Sequence, residues 1–388
     1  MAQTTGRLYF DNAATSFPKP PEVYEALDAY ARTVGGSAGR SAHAAAVAGN
    51  RTIFALRTEL AEMMGGDGDL TILTKNATEA INLVLFSLLE KDMVVAHGAL
   101  EHNAVMRPLH FLARMRHARL IEVPGDEHGR MTPAALAQVV AKHRPDLVVT
   151  LHASNVHGLA QDLAGLGEVC RQADIPLIVD AAQTGGCLPI NMEEMGLAAL
   201  CLTGHKSLLG PTGTGALLLS EEIADRMQPL LFGGTGSESE REEMPEFLPD
   251  RLEAGTANTI GAAGLLAGVR YLAQRTIEDV AEYEAMLRAR MLERLREIPG
   301  LAIVGDAPGP ATAVVSFCSP LTPSDLAFVL NEQYDIATRG GLHCAPRAHR
   351  ALGTLPQGTL RLSPGPLTPP EAVDEVTDAI AEILENVS

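Results

Sequence analysis

Between residues 70 and 220, short apolar runs of strand character alternate with helix-like stretches, and this rhythm constrains the fold more than any other feature of the chain. The strand-like runs are Leu70 to Leu73, Met93 to Ala96, Leu120 to Val123, Leu147 to Leu151, Leu177 to Val179 and Ala216 to Leu219. Strands separated by helical crossovers pair in parallel, so the pattern predicts an α/β domain built on a mostly parallel sheet. Open sheets of this kind collect their ligands at the carboxyl ends of the strands.

The remaining sequence divides around that domain. At 388 residues, with 46% hydrophobic residues, 36 glycines and 24 prolines, the chain is too long for one small core and suits two lobes. The expected division is an N-terminal segment packing across the lobes (1-20), a large α/β domain (21-260), an amphipathic helical bridge (261-298) and a smaller α+β domain (299-388). In the last of these, strands are expected at Leu301 to Val304, Ala313 to Phe317 and Thr359 to Leu362, with helices opening at Pro323 and Pro370. Arg226 to Glu253, rich in glycine and acids, reads as a long loop near the site or a subunit contact.

A balance of 30 basic against 48 acidic residues, net −18, repels nucleic acid and anionic membrane surfaces and directs attention to a small-molecule substrate and protein partners. The first seven residues lack the apolar core of a secretory signal, and the run Ile81 to Leu89 is broken by Asn82 and Ser87 and falls short of the ~18 apolar residues of a membrane span. A cytoplasmic location is expected. The five cysteines form no C-x-x-C pair, so neither a disulfide framework nor a metal site is expected.

Chemistry is concentrated in a few short motifs. Val179-Asp180-Ala181-Ala182-Gln183 puts a carboxylate at a strand end, and Thr203-Gly204-His205-Lys206 confines an amine before the turn Gly210-Pro211-Thr212-Gly213. A pyridoxal phosphate site needs both: the amine to hold the cofactor as a Schiff base, the carboxylate to keep its ring nitrogen protonated. Thr74-Lys75-Asn76-Ala77-Thr78-Glu79, between a strand and a helix, suits a phosphate at a helix N-terminus, although Asn76 or Thr78 as a plain N-cap explains the motif equally. Gln183 can reach a phenolic oxygen, His102 can stack on a ring and move protons, and Asn155 can reach cofactor or substrate.

Cys344 differs from the other four cysteines, which sit among apolar or helical neighbours. In Thr338-Arg339-Gly340-Gly341-Leu342-His343-Cys344-Ala345-Pro346, Arg339 and His343 are cationic or potentially cationic neighbours that favour the nucleophilic thiolate. Arg361, in a final strand, can grip a substrate carboxylate through two parallel hydrogen bonds or lie on a solvated face. Thr256, in a small-residue turn, can complete a phosphate site.

As a set, Asp11-Asn12-Ala13-Ala14-Thr15, Asn76-Ala77-Thr78-Glu79, Glu101-His102-Asn103, Ser154-Asn155-Val156, Val179 to Gln183, Gly204-His205-Lys206, Glu253-Ala254-Gly255-Thr256 and Arg339 to Pro346 resemble the class V aminotransferase fold family, and within it the cysteine desulfurases and selenocysteine lyases. The resemblance implies a fold type I pyridoxal phosphate enzyme with a seven-stranded, mostly parallel sheet and a smaller C-terminal domain. It implies that Lys206 carries the cofactor, with Asp180 on the pyridine nitrogen, Gln183 on the phenolic oxygen and His102 on the ring. Ala77, Thr78, Thr203 and His205 would lie at the phosphate, with Thr256 reaching the phosphate of a partner subunit in a homodimer. Arg361, Asn155 and Arg339 would hold the substrate, and Cys344 would form a persulfide on a short, group II-type loop. The implied reaction takes L-cysteine to L-alanine and passes sulfur to an acceptor protein, iron–sulfur cluster assembly being one use of it. Selenocysteine lyase is the nearest alternative, with an aminotransferase or a non-catalytic scaffold behind it. The loop departs from the group II pattern of two histidines before the cysteine by reading Leu342-His343.

Overall fold

Apolar runs too short for helices and rich in β-branched residues assemble into one twisted sheet in the computed structural model, which describes residues 7–386 apart from Arg40 and Ser239. Its strand order is Thr71–Thr74, Gly215–Leu219, Ala199–Thr203, Leu177–Asp180, Leu147–Leu151, Val94–His97 and Arg119–Glu122. The four strands of Gly215–Leu219 through Leu147–Leu151 are buried at every position. That burial reflects helices on both faces. Alternate residues enter different cores: Val148, Val179, Leu200 and Leu218 belong to one cluster, and Leu147, Val149, Ile178, Cys201 and Leu217 to the other.

Two features depart from the sequence expectation. Ala199–Thr203 is a central strand that was not among the expected runs, although its unbroken apolar stretch is the mark of a strand covered on both sides. Cys201 therefore sits in a sheet. Gly215–Leu219 runs antiparallel to both Ala199–Thr203 and Thr71–Thr74, whereas the other four pairings are parallel. The physical reason is length: the ten or so residues between Thr203 and Gly215 form a tight loop and leave no room for a crossover helix.

The second sheet is antiparallel, ordered Arg339–Gly341, Thr359–Leu362, Val315–Cys318 and Ala302–Val304. Arg339 opens an edge strand here, opposite Arg361, where the sequence suggested only a glycine-rich loop. The amphipathic stretch before this sheet forms two helices, Thr259–Arg275 and Ile277–Arg296, divided at Thr276, whose φ of 65° breaks the helical path. Near the start of the chain, Leu8–Tyr9 pairs in parallel with Ile336–Ala337, and further on the Ser16 N–H donates to the His205 carbonyl at 2.9 Å. The Leu8–Tyr9 pairing is a separate two-stranded sheet, and Asp11 bridges on to Ser363 at the end of the small sheet's Thr359–Leu362 strand, so the N-terminal segment links the small sheet to the Lys206 turn; residues 1–6 of it lie outside the described residues. Among the described residues, no helix is long and apolar enough to cross a membrane.

Candidate active site

Parallel pairing puts the carboxyl ends of neighbouring strands side by side, and the polar groups that follow them line one cavity of about 160 Å³. Asp180 ends its strand, Thr203 ends the next, and Asn155 and His102 follow Leu147–Leu151 and Val94–His97. The N-terminal turn of the helix Ala77–Leu88, with Ala77 and Thr78, closes a further side. Gln183, His205 and Lys206 complete the lining.

Lys206 is held by a turn that only small residues can make. A Cβ on Gly204 would fall 2.1 Å from Thr214 Oγ1, and the Gly210 N–H donates to the Gly204 carbonyl at 2.7 Å. Burial lowers the Lys206 pKa from 10.5 to about 8, against the pull of Asp180 and with help from Arg361 and Arg339. A neutral, nucleophilic amine is therefore accessible near physiological pH. Asp180 is buried, and burial pushes its carboxyl upward, opposed by the Ala182 N–H donating to Oδ1 at 3.0 Å and by Lys206. It is the natural partner for a cationic group brought into the cavity. Gln183 donates through Nε2 to the Ala13 carbonyl at 3.1 Å, which ties this wall to the N-terminal segment.

His102 caps the helix Asn103–Arg116, its Nδ1 accepting from the Ala104 N–H at 3.0 Å. An accepting Nδ1 carries no proton, so the neutral ring bears its hydrogen on Nε2. Burial, then Lys206 and Arg339, lower its pKa to about 4, so the ring is neutral at physiological pH.

At the other end of the cavity the unpaired groups suit an anion. Asn76 is the N-cap of its helix, accepting from the Glu79 N–H at 2.9 Å, as the simple capping reading expected. Beside it, Thr203 Oγ1 and His205 Nδ1 are buried without a hydrogen-bond partner. A helix N-terminus flanked by a spare hydroxyl and a spare ring nitrogen is a site for a phosphate-like group.

The Cys344 loop is tied to this cavity through its backbone. The Asn103 N–H donates to the Cys344 carbonyl at 3.0 Å, and Asn155 Nδ2 donates to the His343 carbonyl at 2.7 Å. His343 and Cys344 both adopt left-handed backbone, with φ of 49° and 59°. Such conformations cost non-glycine residues on the order of 1–2 kcal/mol each and concentrate at functional loops. Cys344 is exposed, and Arg339 Nη2 reaches its Sγ at 3.5 Å. His343 corrects the sequence reading: it is 3% exposed, its Nε2 lies 3.1 Å from the Thr359 carbonyl, and burial drives its pKa far down. It braces the loop as a neutral ring, and the cation beside Cys344 is Arg339.

Arg361 is buried, and it is already engaged. Its Nη1 donates to the Asn155 carbonyl at 3.1 Å and its Nη2 to Asp11 Oδ1 at 2.6 Å. In the sequence Asp11 stands only within Asp11-Asn12-Ala13-Ala14-Thr15; nothing local marks it as the partner of a residue 350 positions away. Thr256 is not in the Lys206 cavity. It lines a larger, separate hollow of about 410 Å³ with Arg57, Glu253 and Asn258, one that contains neither Lys206 nor Asp180. We take the smaller cavity as the chemical site because the perturbed amine, carboxylate and imidazole are there.

The model of the family aminotransferase class-V matches residues 8–376. A protein of Pyrococcus abyssi named "Probable cysteine desulfurase" is 31% identical, over 98% of this chain and 95% of its own length. The "Cysteine desulfurase" of Haloferax volcanii is 30% identical, over 97% of this chain and 89% of its own. Among solved structures, the apo cysteine desulfurase of Thermococcus onnurineus NA1 superposes with a TM-score of 0.91 at 29% identity, covering 98% of this chain and 95% of that one.

Proposed function

The chain belongs to the class-V aminotransferase family, and from that premise we propose that it is a pyridoxal phosphate-dependent cysteine desulfurase that converts L-cysteine to L-alanine and leaves sulfur as a persulfide on Cys344. The observation that carries the reading is the union in one cavity of Lys206, Asp180 and His102, with the exposed Cys344 loop tied to its rim by Asn103 and Asn155.

The cofactor fits the groups present. The unpaired Thr203 Oγ1 and His205 Nδ1, with the helix N-terminus at Ala77 and Thr78, would hold its phosphate; buried Asp180 would face its ring nitrogen, Gln183 its phenolic oxygen and His102 its ring. When bound, pyridoxal phosphate supplies an electron sink that acidifies the substrate Cα–H bond.

The protein's part is to bind, orient and move protons. Arg361, fixed by Asp11 and the Asn155 carbonyl, orients the substrate carboxylate, with Arg339 close by. Lys206, with its depressed pKa, takes the proton from Cα and returns one when alanine forms. The neutral His102 ring, its Nδ1 held by the Ala104 N–H, offers its Nε2–H as a hydrogen-bond donor to the substrate sulfur. Cys344, as thiolate, attacks the substrate sulfur: the new S–S bond forms as the Cβ–S bond breaks, so cysteine and one thiol become alanine and one persulfide. The exposure of Cys344 supports onward transfer to an acceptor protein. Thr256, which does not line its own chain's Lys206 cavity, supports a homodimer in which each subunit completes the other's phosphate site.

The test is intact-mass spectrometry of wild-type and Cys344→Ala protein after brief exposure to L-cysteine, with alanine measured in the same samples. One added sulfur on the wild type alone, with alanine formed only when Cys344 is present, is the expected result. Alanine from both proteins would favour a lyase route, such as that on selenocysteine, and no alanine from either would overturn the assignment.

A further inference from the structure

We propose that Glu101 is a positioning residue held as a neutral carboxylic acid, joining the His102 turn to the neighbouring strand end while leaving Asp180 the single anion beneath the cavity. Its role in turnover rests on the desulfurase reading; its protonation state does not.

Glu101 directly precedes the cap residue His102 and is 1% exposed. Its Oε1 accepts from Thr150 Oγ1 at 3.2 Å and from the Leu151 N–H at 3.3 Å, both at the end of the strand that leads to Asn155. Its Oε2 is buried with no hydrogen-bond partner. The surroundings are built for this carboxyl. A Cβ on Gly98 would lie 2.6 Å from Oε1, so a side chain there would displace it. Thr150 Oγ1 accepts from Gln161 Nε2 at 2.6 Å, which leaves the threonine's own proton for Glu101 at 3.2 Å or the Leu151 carbonyl at 3.4 Å, and Gln161 is in turn fixed by the Met131 N–H at 2.6 Å.

The charged group facing Glu101 is another acid, Asp180 on the next strand; Thr150, Leu151 and Gly98, from the remaining packed elements, contribute neutral donors. Two buried carboxyls that feel each other's charge do not both ionise readily, and the proton stays with the one that has less to stabilise its anion. Asp180 has Lys206 as a cation nearby, whereas among the described residues Glu101 makes no ion pair. Burial first, and Asp180 second, raise Glu101 to about 8. A neutral acid satisfies the strand-end donors without weakening the pairing of Asp180 with a cationic ring.

Infrared difference spectroscopy of cofactor-free wild type against Glu101→Gln at pH 6.5 reads this directly. A protonated carboxylic acid C=O band, absent from the variant and converting to carboxylate as pH rises through about 8, is expected; a carboxylate signal at pH 6.5 overturns the proposal whatever the enzyme's activity. In the cofactor-loaded proteins, Glu101→Gln should stay within about threefold of wild-type kcat, whereas Glu101→Ala, which leaves Leu151 and Thr150 unsatisfied, should lose about tenfold in kcat with a smaller change in KM. Equal impairment of the two variants would overturn the positioning role.

Discussion

Arg361 and Asp11 form a 2.6 Å ion pair across 350 positions of sequence. The arginine suited to grip a substrate carboxylate is therefore oriented before any substrate arrives. Its Nη1 also donates to the Asn155 carbonyl, while Nε is buried with no partner among the described residues, so Nε and the second N–H of each Nη are the spare donors. The pair also fastens the N-terminal segment to the small sheet.

Removing the carboxylate should be expensive because it strands a buried guanidinium. Asp11→Ala is expected to lower the unfolding free energy by about 3 kcal/mol, read from the denaturant midpoint of the cofactor-free protein. A change under about 0.5 kcal/mol would mean that Arg361 finds solvent or another partner without difficulty.

Lys206 makes stability depend on alkaline pH. Folded, it loses its proton near pH 8; unfolded, it holds it to 10.5, so across that window the unfolded chain binds the extra proton and stability rises with pH. Replacing it by methionine removes this gain. The stability difference between wild type and Lys206→Met should change by about 2 kcal/mol in favour of wild type between pH 8 and pH 10. A difference that stays flat would contradict the depressed amine.

His152 supplies the acid counterpart. It is 6% exposed, its Nδ1 is buried without a hydrogen-bond partner among the described residues, and burial lowers its pKa to about 4. As pH falls from 6.5 toward 4 the unfolded chain takes up a proton that the folded protein refuses, and stability is lost. His152→Leu should escape this loss and gain about 2 kcal/mol relative to wild type on going from pH 7 to pH 5. Parallel stability curves for the two proteins would show that the imidazole can ionise in place.

Cys344 should be singular among the five cysteines. Cys170, Cys187 and Cys201 are buried with thiol pKa values raised by burial, and Cys318 is partly buried and also raised. Brief iodoacetamide treatment of the folded protein should add one adduct, absent from Cys344→Ala, as read by peptide mass mapping. Two rapidly labelled sites would show that solvent also reaches one of the other four cysteines.

Much of this protein was legible in the order of its residues. Hydrophobic periodicity marked the runs Leu147 to Leu151 and Leu177 to Val179, and parallel pairing then dictates that Asn155, Asp180 and His102 gather on one edge, because strand direction is a local consequence of helical crossovers. The Lys206 turn was marked in the sequence too, by Gly204 and by Gly210-Pro211-Thr212-Gly213, and a side chain at Gly204 would strike Thr214. What the sequence could not determine depends on which distant surfaces meet. The reversed strand Gly215–Leu219 follows from a loop whose compactness is a tertiary fact. The neutral state of His343 comes from burial against Thr359, the pairing of Arg361 comes from an N-terminal segment laid against the small sheet, and the proton on Glu101 comes from burial beside a second acid. Charge state is set by desolvation and neighbouring charges, and both arise only when the chain has closed on itself.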